Sequence, residues 1–172
     1  MIIVGDIGNT ETKVCLIDKS NKIIKKIIIK TKDINNNSLS VLLTKFKLSK
    51  INIKKVLFCS VVPKAFNQIK KIFYQKLKIK IYELKDLDLK KMINIKVNYK
   101  QIGSDRLANA LSVIGKKKNY IILDFGTATT FDVLVKKNYY GGVIAPGVKL
   151  SLKTLSDKAS LIPNINLKKP KK

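Results

Sequence analysis

The chain has 172 residues, 45% of them apolar, which suits one large or two small cored domains and excludes wholesale disorder. Its 36 Lys+Arg against 11 Asp+Glu give a net charge of +25, yet Arg106 is the sole arginine; dispersed lysines point away from a specific nucleic-acid reader and leave only salt-sensitive sticking to polyanions. With no histidine, imidazole catalysis and His-ligated zinc are excluded, and the two cysteines, Cys15 and Cys59, are too few for a zinc cluster.

The chain opens Met1-Ile-Ile-Val-Gly-Asp6, without the basic start or small-residue cleavage site of a signal peptide. No apolar run approaches the roughly 20 residues that span a bilayer, so a cytoplasmic protein with no membrane partner is expected. Residues 2–6 read as a strand closed by Asp6-Ile7-Gly8-Asn9-Thr10. Extended segments Thr12 to Asp18 and Ile23 to Ile29, joined at Ser20-Asn21, complete a three-stranded meander. After the polar patch Asp33 to Ser38, a helix is expected over Leu39 to Phe46. Val56 to Val62 has the continuous apolar character of a buried strand, so Cys59, like Cys15, is expected as a reduced, buried thiol. Pro63 opens a helix whose Phe66, Ile69, Phe73 and Leu77 share one face. Ile79 to Leu84 reads as another strand, while the Lys-rich stretch Lys85 to Gln101 has no clear pattern.

From Gly103 the pattern changes. Ser104-Asp105 begins a helix with Leu107, Ala108, Leu111 and Ile114 on one stripe and Gly115 at its end. Tyr120 to Leu123 is a buried strand closed by Asp124-Phe125-Gly126-Thr127. Strands at 129–135 and 139–144 follow, then an amphipathic helix from Gly147 to about Lys158 and a basic tail. The strand ending Asp6-x-Gly8-Asn9-Thr10 recurs as one ending Asp124-x-Gly126-Thr127, each followed by an extended segment. The repeat predicts two related α/β domains facing each other, residues 1–102 and 103–172, with a boundary near 100–117.

Glycine is scarce, 8 residues, and seven fall in a few short segments: Gly5 and Gly8, Gly103, Gly126, Gly141 and Gly142, and Gly147. In a chain drifting toward Lys, Ile and Asn, those retained mark positive φ or close backbone approach. The two Asp-x-Gly bends suit phosphoryl transfer: Gly-turn N–H groups and Thr hydroxyls approach phosphate oxygens, and a strand-end carboxylate holds a metal ion or its water. Lys13 reaches back toward phosphate. Two ordinary hairpin turns capped by Asp are the bland alternative. Gly103-Ser104-Asp105-Arg106 at a helix start favours an anionic ligand, with Arg106 as a fork for carboxylate and Asp105 as general base for a hydroxyl nucleophile. A simple N-cap pair competes there. Gly141-Gly142-x-x-x-Pro146-Gly147 permits tight approach of a loop to a ligand or the facing domain, or is a plain strand-to-helix connection.

Asp6-Ile7-Gly8-Asn9-Thr10 with Lys13, Gly103-Ser104-Asp105-Arg106-Leu107-Ala108-Asn109, Asp124-Phe125-Gly126-Thr127-Ala128-Thr129-Thr130 and Gly141-Gly142-Val143-Ile144-Ala145-Pro146-Gly147 together resemble the type III pantothenate kinases. That family belongs to the acetate-and-sugar-kinase, chaperone and actin superfamily. The resemblance runs from residue 1 to about 163. It implies two ribonuclease-H-like domains with mixed sheets flanked by helices, and phosphorylation of pantothenate by ATP at the first step of coenzyme A synthesis. By the same resemblance Asp6, Ile7, Gly8, Asn9, Thr10, Glu11, Thr12 and Lys13 cradle ATP and Thr127 contacts its phosphates. Asp124 binds a monovalent cation, potassium or ammonium, and magnesium arrives with the nucleotide. Gly103, Ser104, Asp105 and Arg106 hold pantothenate, with Tyr99 as a further contact and Asp105 as the proton acceptor. A homodimer is implied. The family's later Gly-x-x-Thr segment has no counterpart before Lys172, so an incomplete second domain with an open sheet edge is expected. The alternative is a nucleotide-binding regulatory protein of this fold with impaired turnover.

Overall fold

The computed structural model describes residues 1–46, 52–115, 118–163, 165 and 167. The first half is the expected meander: β1 (Ile2–Ile7), β2 (Glu11–Ile17) and β3 (Ile23–Lys30) pair antiparallel in sequence. Alternation sets the faces, because Ile3 and Ile7 on β1 and Thr12, Val14 and Leu16 on β2 all point inward. Strand β4 (Lys55–Ser60) adds parallel to β1, and β5 (Tyr82–Glu83) to β4, giving the mixed order β3-β2-β1-β4-β5. Helices α1 (Asn36–Lys45) and α2 (Pro63–Leu77) complete this core, where Leu39, Leu42, Ile69 and Phe73 pack with Phe58 and Val56.

Three of the differences from the sequence reading have an assignable cause. Helix α1 starts at Asn36, within the polar patch, because Asn35 caps it: its Oδ1 accepts from Asn37 N and Ser38 N, and Ser38 Oγ accepts from Asn35 N. Strand β4 stops at Ser60, where the hydroxyl of Ser104 takes over the backbone bonds, accepting from Ser60 N and donating to Ser60 O. The strand expected over Ile79 to Leu84 shrinks to two residues. There the Glu83 carboxylate accepts from Lys85 N and Asp86 accepts from Glu83 N, folding Leu84–Asp86 into a 3-10 turn.

The second half repeats the meander with β7 (Asn119–Phe125), β8 (Ala128–Val135) and β9 (Asn138–Pro146), and short β6 (Asn94–Ile95) joins parallel to β9. Sheet order is β6-β9-β8-β7. Helix α3 (Ser104–Val113) covers one face through Leu107 and Ala110, packed with Leu134 and Tyr139. Leu84, Leu89, Ile93 and Ile102 pack in this second core, so the stretch before Gly103 that had no sequence pattern contributes its wall. The two cores meet at β4, which turns Val56 and Phe58 to the first and Leu57 and Cys59 to the second.

The opposite face of the second sheet is apolar and open: Leu123, Phe131 and Val143 lie side by side in register, exposed, with Ile121 and Val133 beside them. Helix α4 (Val148–Lys158) follows β9 with no buried residue. Among the described residues no helix is long and apolar enough to cross a membrane.

Candidate active site

The two Asp-x-Gly bends close one cleft from opposite sides. Gly8 N donates to Glu11 O at 3.0 Å, and Gly126 N donates to Ala128 O at 2.9 Å, making each bend a tight strand-to-strand turn. The hydroxyls of Thr10 and Thr127 meet at 2.8 Å across the gap. Thr31 secures the first bend, its hydroxyl donating to Gly8 O at 2.7 Å and its N–H to Thr10 O at 2.9 Å, with Thr12 Oγ1 3.0 Å from Thr31 Oγ1. Among the described residues no hydrogen bond occupies the N–H groups of Asn9, Thr10 or Thr127. Three free backbone donors and two hydroxyls at facing bends are the donor set that phosphate oxygens require.

Of the residues expected to cradle ATP, Ile7 is wholly buried in the first core and offers the cleft backbone only. Thr12 is buried against Thr31 and supports the bend. Asp6 and Lys13 face each other across β1 and β2, with Nζ 4.0 Å from Oδ2 and both side chains about half exposed. So loose and solvated a pair contributes little stability, and Lys13 remains available to an anion. Cys59 Sγ lies 3.6 Å from Asp6 Oδ1. Burial, then the Asp6 charge, push its thiol well above the ordinary range, so it stays protonated. Cys59 and Cys15 are free thiols as expected, though both are partly rather than fully buried.

Gly103 caps α3, and its lack of a side chain matters: a Cβ there would overlap Asp105 Oδ1. Asp105 thus tucks against the backbone, its Oδ1 accepting from Arg106 N at 2.8 Å. Desolvation raises its pKa above the ordinary carboxylate value against the pull of that bond, and the charges of Asp6 and Asp124 add to the rise. Three acids from β1, α3 and β7 therefore feel one another across the cleft. Asp124 is held by Asn109, whose Nδ2 donates to Oδ2 at 2.8 Å from the next turn of α3. Among the described residues no group of three Asp, Glu or Cys side chains is arranged to hold a metal ion unaided.

Ser104 and Arg106 flank Asp105 and turn elsewhere. Ser104 is bonded to Ser60, as described, so the N-cap pair of Ser104 with Asp105 is not what forms. Arg106 is buried, with Nε 2.9 Å and 3.1 Å from the two oxygens of Asp132 and Nη2 2.5 Å from Oδ1. The hydroxyl of Tyr139 donates to the same Asp132 oxygen. The side-on Nε–Nη2 edge of the guanidinium is therefore satisfied within the chain, and among the described residues Nη1 has no hydrogen bond. Tyr99 packs beneath Lys85 Nζ at 4.9 Å and its hydroxyl donates to Lys85 O at 3.1 Å, so no hydrogen bond links it to Asp105 or Arg106.

Sequence reasoning gave no role to Asn109, Ser60, Asp132 or Tyr139. Asn109 stood within a recognised motif, four residues after Asp105 on the same helix face, and that spacing was the available signal. Nothing local marks Asp132 as the partner of a residue 26 positions earlier.

Gly147 resolves the third glycine segment: its N–H donates to Thr127 O at 3.1 Å, and a Cβ would overlap the carbonyl oxygens of Gly126 and Thr127. The loop approaches the second bend of its own half. Gly147→Ala is expected to displace that bend and cost about 1–3 kcal/mol of stability by overpacking. Thermal denaturation with and without ATP checks it, and the ATP-induced rise in Tm should shrink with the substitution.

Comparison with known proteins places the chain in a family. The profile of a family described as type III pantothenate kinase matches residues 2–172. A type III pantothenate kinase of Pelagibacter ubique (strain HTCC1062) is 67% identical over 169 residues, covering 98% of this chain and 68% of that protein. One from Sulfurihydrogenibium sp. (strain YO3AOP1) is 35% identical, covering 99% of this chain and 70% of that protein. Among solved structures, a protein from Sinorhizobium meliloti named as a 2-dehydro-3-deoxygalactonokinase superposes with a TM-score of 0.60 at 11% identity, over 94% of this chain and 58% of that one. That likeness speaks for the fold alone.

Proposed function

Because the chain belongs to the type III pantothenate kinase family, enzymes that phosphorylate pantothenate with ATP at the entry to coenzyme A synthesis, we propose which of its residues carry each part of that reaction. The observation that carries the reading is the meeting of the two bends at Thr10 and Thr127, with Asp105 half-buried between their aspartates.

The free N–H groups of Asn9, Thr10 and Thr127, the two threonine hydroxyls and Lys13 take the ATP phosphates. Magnesium bound with the nucleotide would supply charge neutralisation, and Asp6 is the residue that would hold that ion or its water. Asp124, oriented by Asn109, is the candidate for a potassium or ammonium ion at the second bend. Arg106 offers its remaining N–H edge to the pantothenate carboxylate. Asp105 accepts the proton of the pantothenate hydroxyl as that oxygen bonds to the γ-phosphorus, and the bond to the bridging β–γ oxygen breaks to release ADP. The pKa of Asp105, raised mainly by desolvation, makes it a stronger base than an exposed carboxylate. By family resemblance, the reading extends to a homodimer working in the cytoplasm.

Following ADP formation by the chain with ATP, pantothenate, magnesium and potassium tests this. Turnover should require pantothenate, and Asp124→Asn should abolish the advantage of potassium over sodium while ATP still binds. Potassium activation unchanged in Asp124→Asn would remove Asp124 from the cation site.

A further inference from the structure

The first turn of α3 is fastened to both halves of the molecule. Ser104 is bonded to the backbone of β4 in the first sheet. Arg106 is bonded to Asp132 on β8, and Asp132 to Tyr139 on β9. Asp105 stands between these two fastenings, facing the cleft.

We propose that Asp132 and Tyr139 are positioning residues for pantothenate: they lock the Arg106 guanidinium side-on, so that its free Nη1 edge and the adjacent Asp105 meet the substrate's carboxylate and hydroxyl in fixed register. This rests on the reading of Arg106 as the carboxylate contact.

Three observations carry it. Asp132 and Tyr139 are both wholly buried and Arg106 nearly so, and a buried ion pair is a poor way to gain stability, since apolar residues of the same volume hold a helix to a sheet as well or better. The cation is also the single arginine of a chain with 35 lysines. Lysine could neutralise Asp132, but it lacks a planar fork that binds one carboxylate through its Nε–Nη2 edge and leaves Nη1 for another. Finally, Tyr139 places its phenol on the same Asp132 oxygen that Arg106 Nη2 uses, which fixes the carboxylate and so the plane of the guanidinium. Burial and that hydrogen bond push the Tyr139 pKa well up, so the phenol remains a donor.

The experiment compares Asp132→Asn and Tyr139→Phe with wild type and Arg106→Lys, measuring KM for pantothenate and for ATP separately, with Tm recorded for each. Asp132→Asn keeps the volume and one acceptor but loses the charge and the second acceptor oxygen, and Tyr139→Phe keeps the ring and removes only the hydroxyl. The inference expects the pantothenate KM to rise by about tenfold or more in Asp132→Asn and a few-fold in Tyr139→Phe, with the ATP KM within about twofold. A purely structural role would lower Tm and the active fraction while leaving both KM values alone, and that result overturns the inference. If Asp132→Asn fails to fold, Tyr139→Phe decides: an unchanged pantothenate KM in that variant overturns the inference. Arg106→Lys separates the two levels. Should it bind pantothenate as wild type does, the carboxylate reading itself falls; should it lose pantothenate while Asp132→Asn and Tyr139→Phe do not, only the positioning role falls.

Discussion

Asp105→Asn is expected to lower kcat by about 10²–10⁴-fold, the usual contribution of a general base, while making the protein more stable at neutral pH. Both effects come from the same desolvation. In the folded state the carboxylate has a raised pKa, so the folded protein binds this proton more tightly than the unfolded chain does. The stabilisation from Asp105 is therefore fully present below its unfolded pKa and is lost as pH rises through the folded value. Above that window the ionised group is a net burden that asparagine does not impose. Asn can still accept from Arg106 N through its side-chain oxygen, so the turn should survive. Denaturation of wild type and variant at pH 7 and at pH 4 checks the sign, because the advantage of Asn should shrink at the lower pH. Raised activity limits follow the same logic: the acid limb of the wild-type rate profile should lie above the ordinary carboxylate range near 3.9.

The second large effect concerns the buried pair of Arg106 and Asp132. Arg106→Met leaves the Asp132 carboxylate wholly buried without its cation, a change that costs on the order of 3–5 kcal/mol. Pairing it with Asp132→Leu removes the stranded charge, and most of that stability is expected to return. Pantothenate binding is not expected to return with it. Urea denaturation and pantothenate titration of the two single variants and the double variant therefore separate what the pair does for folding from what it does for the substrate.

How far the sequence could be read depended on whether the determining contacts were local. The two Asp-x-Gly bends, the helix opened by Pro63 and the α3 helix after Gly103 all carry their own signals within a few residues, and each is found where expected. The scarce glycines also carried information, since Gly103 and Gly147 stand where a Cβ would overlap the site. Legibility failed where distant residues decide. The stretch from Leu84 to Ile102 is a run of short turns whose apolar residues make sense only as the wall of the second core. Strand β4 ends at Ser60 because a serine 44 positions later satisfies its backbone. Arg106 read plainly as an anion fork, but the internal carboxylate occupying its Nε–Nη2 edge lies across a sheet that spacing alone does not foretell.

The central claim is that both bends grip one nucleotide while Asp105 takes the proton of the pantothenate hydroxyl. A crystal structure of this chain with a non-hydrolysable ATP analogue, magnesium and pantothenate tests it most directly. The account predicts the γ-phosphate between Thr10 and Thr127 and the pantothenate hydroxyl within about 2.6–3.2 Å of the Asp105 carboxylate. Nucleotide bound away from either bend, or a hydroxyl out of reach of Asp105, would contradict it.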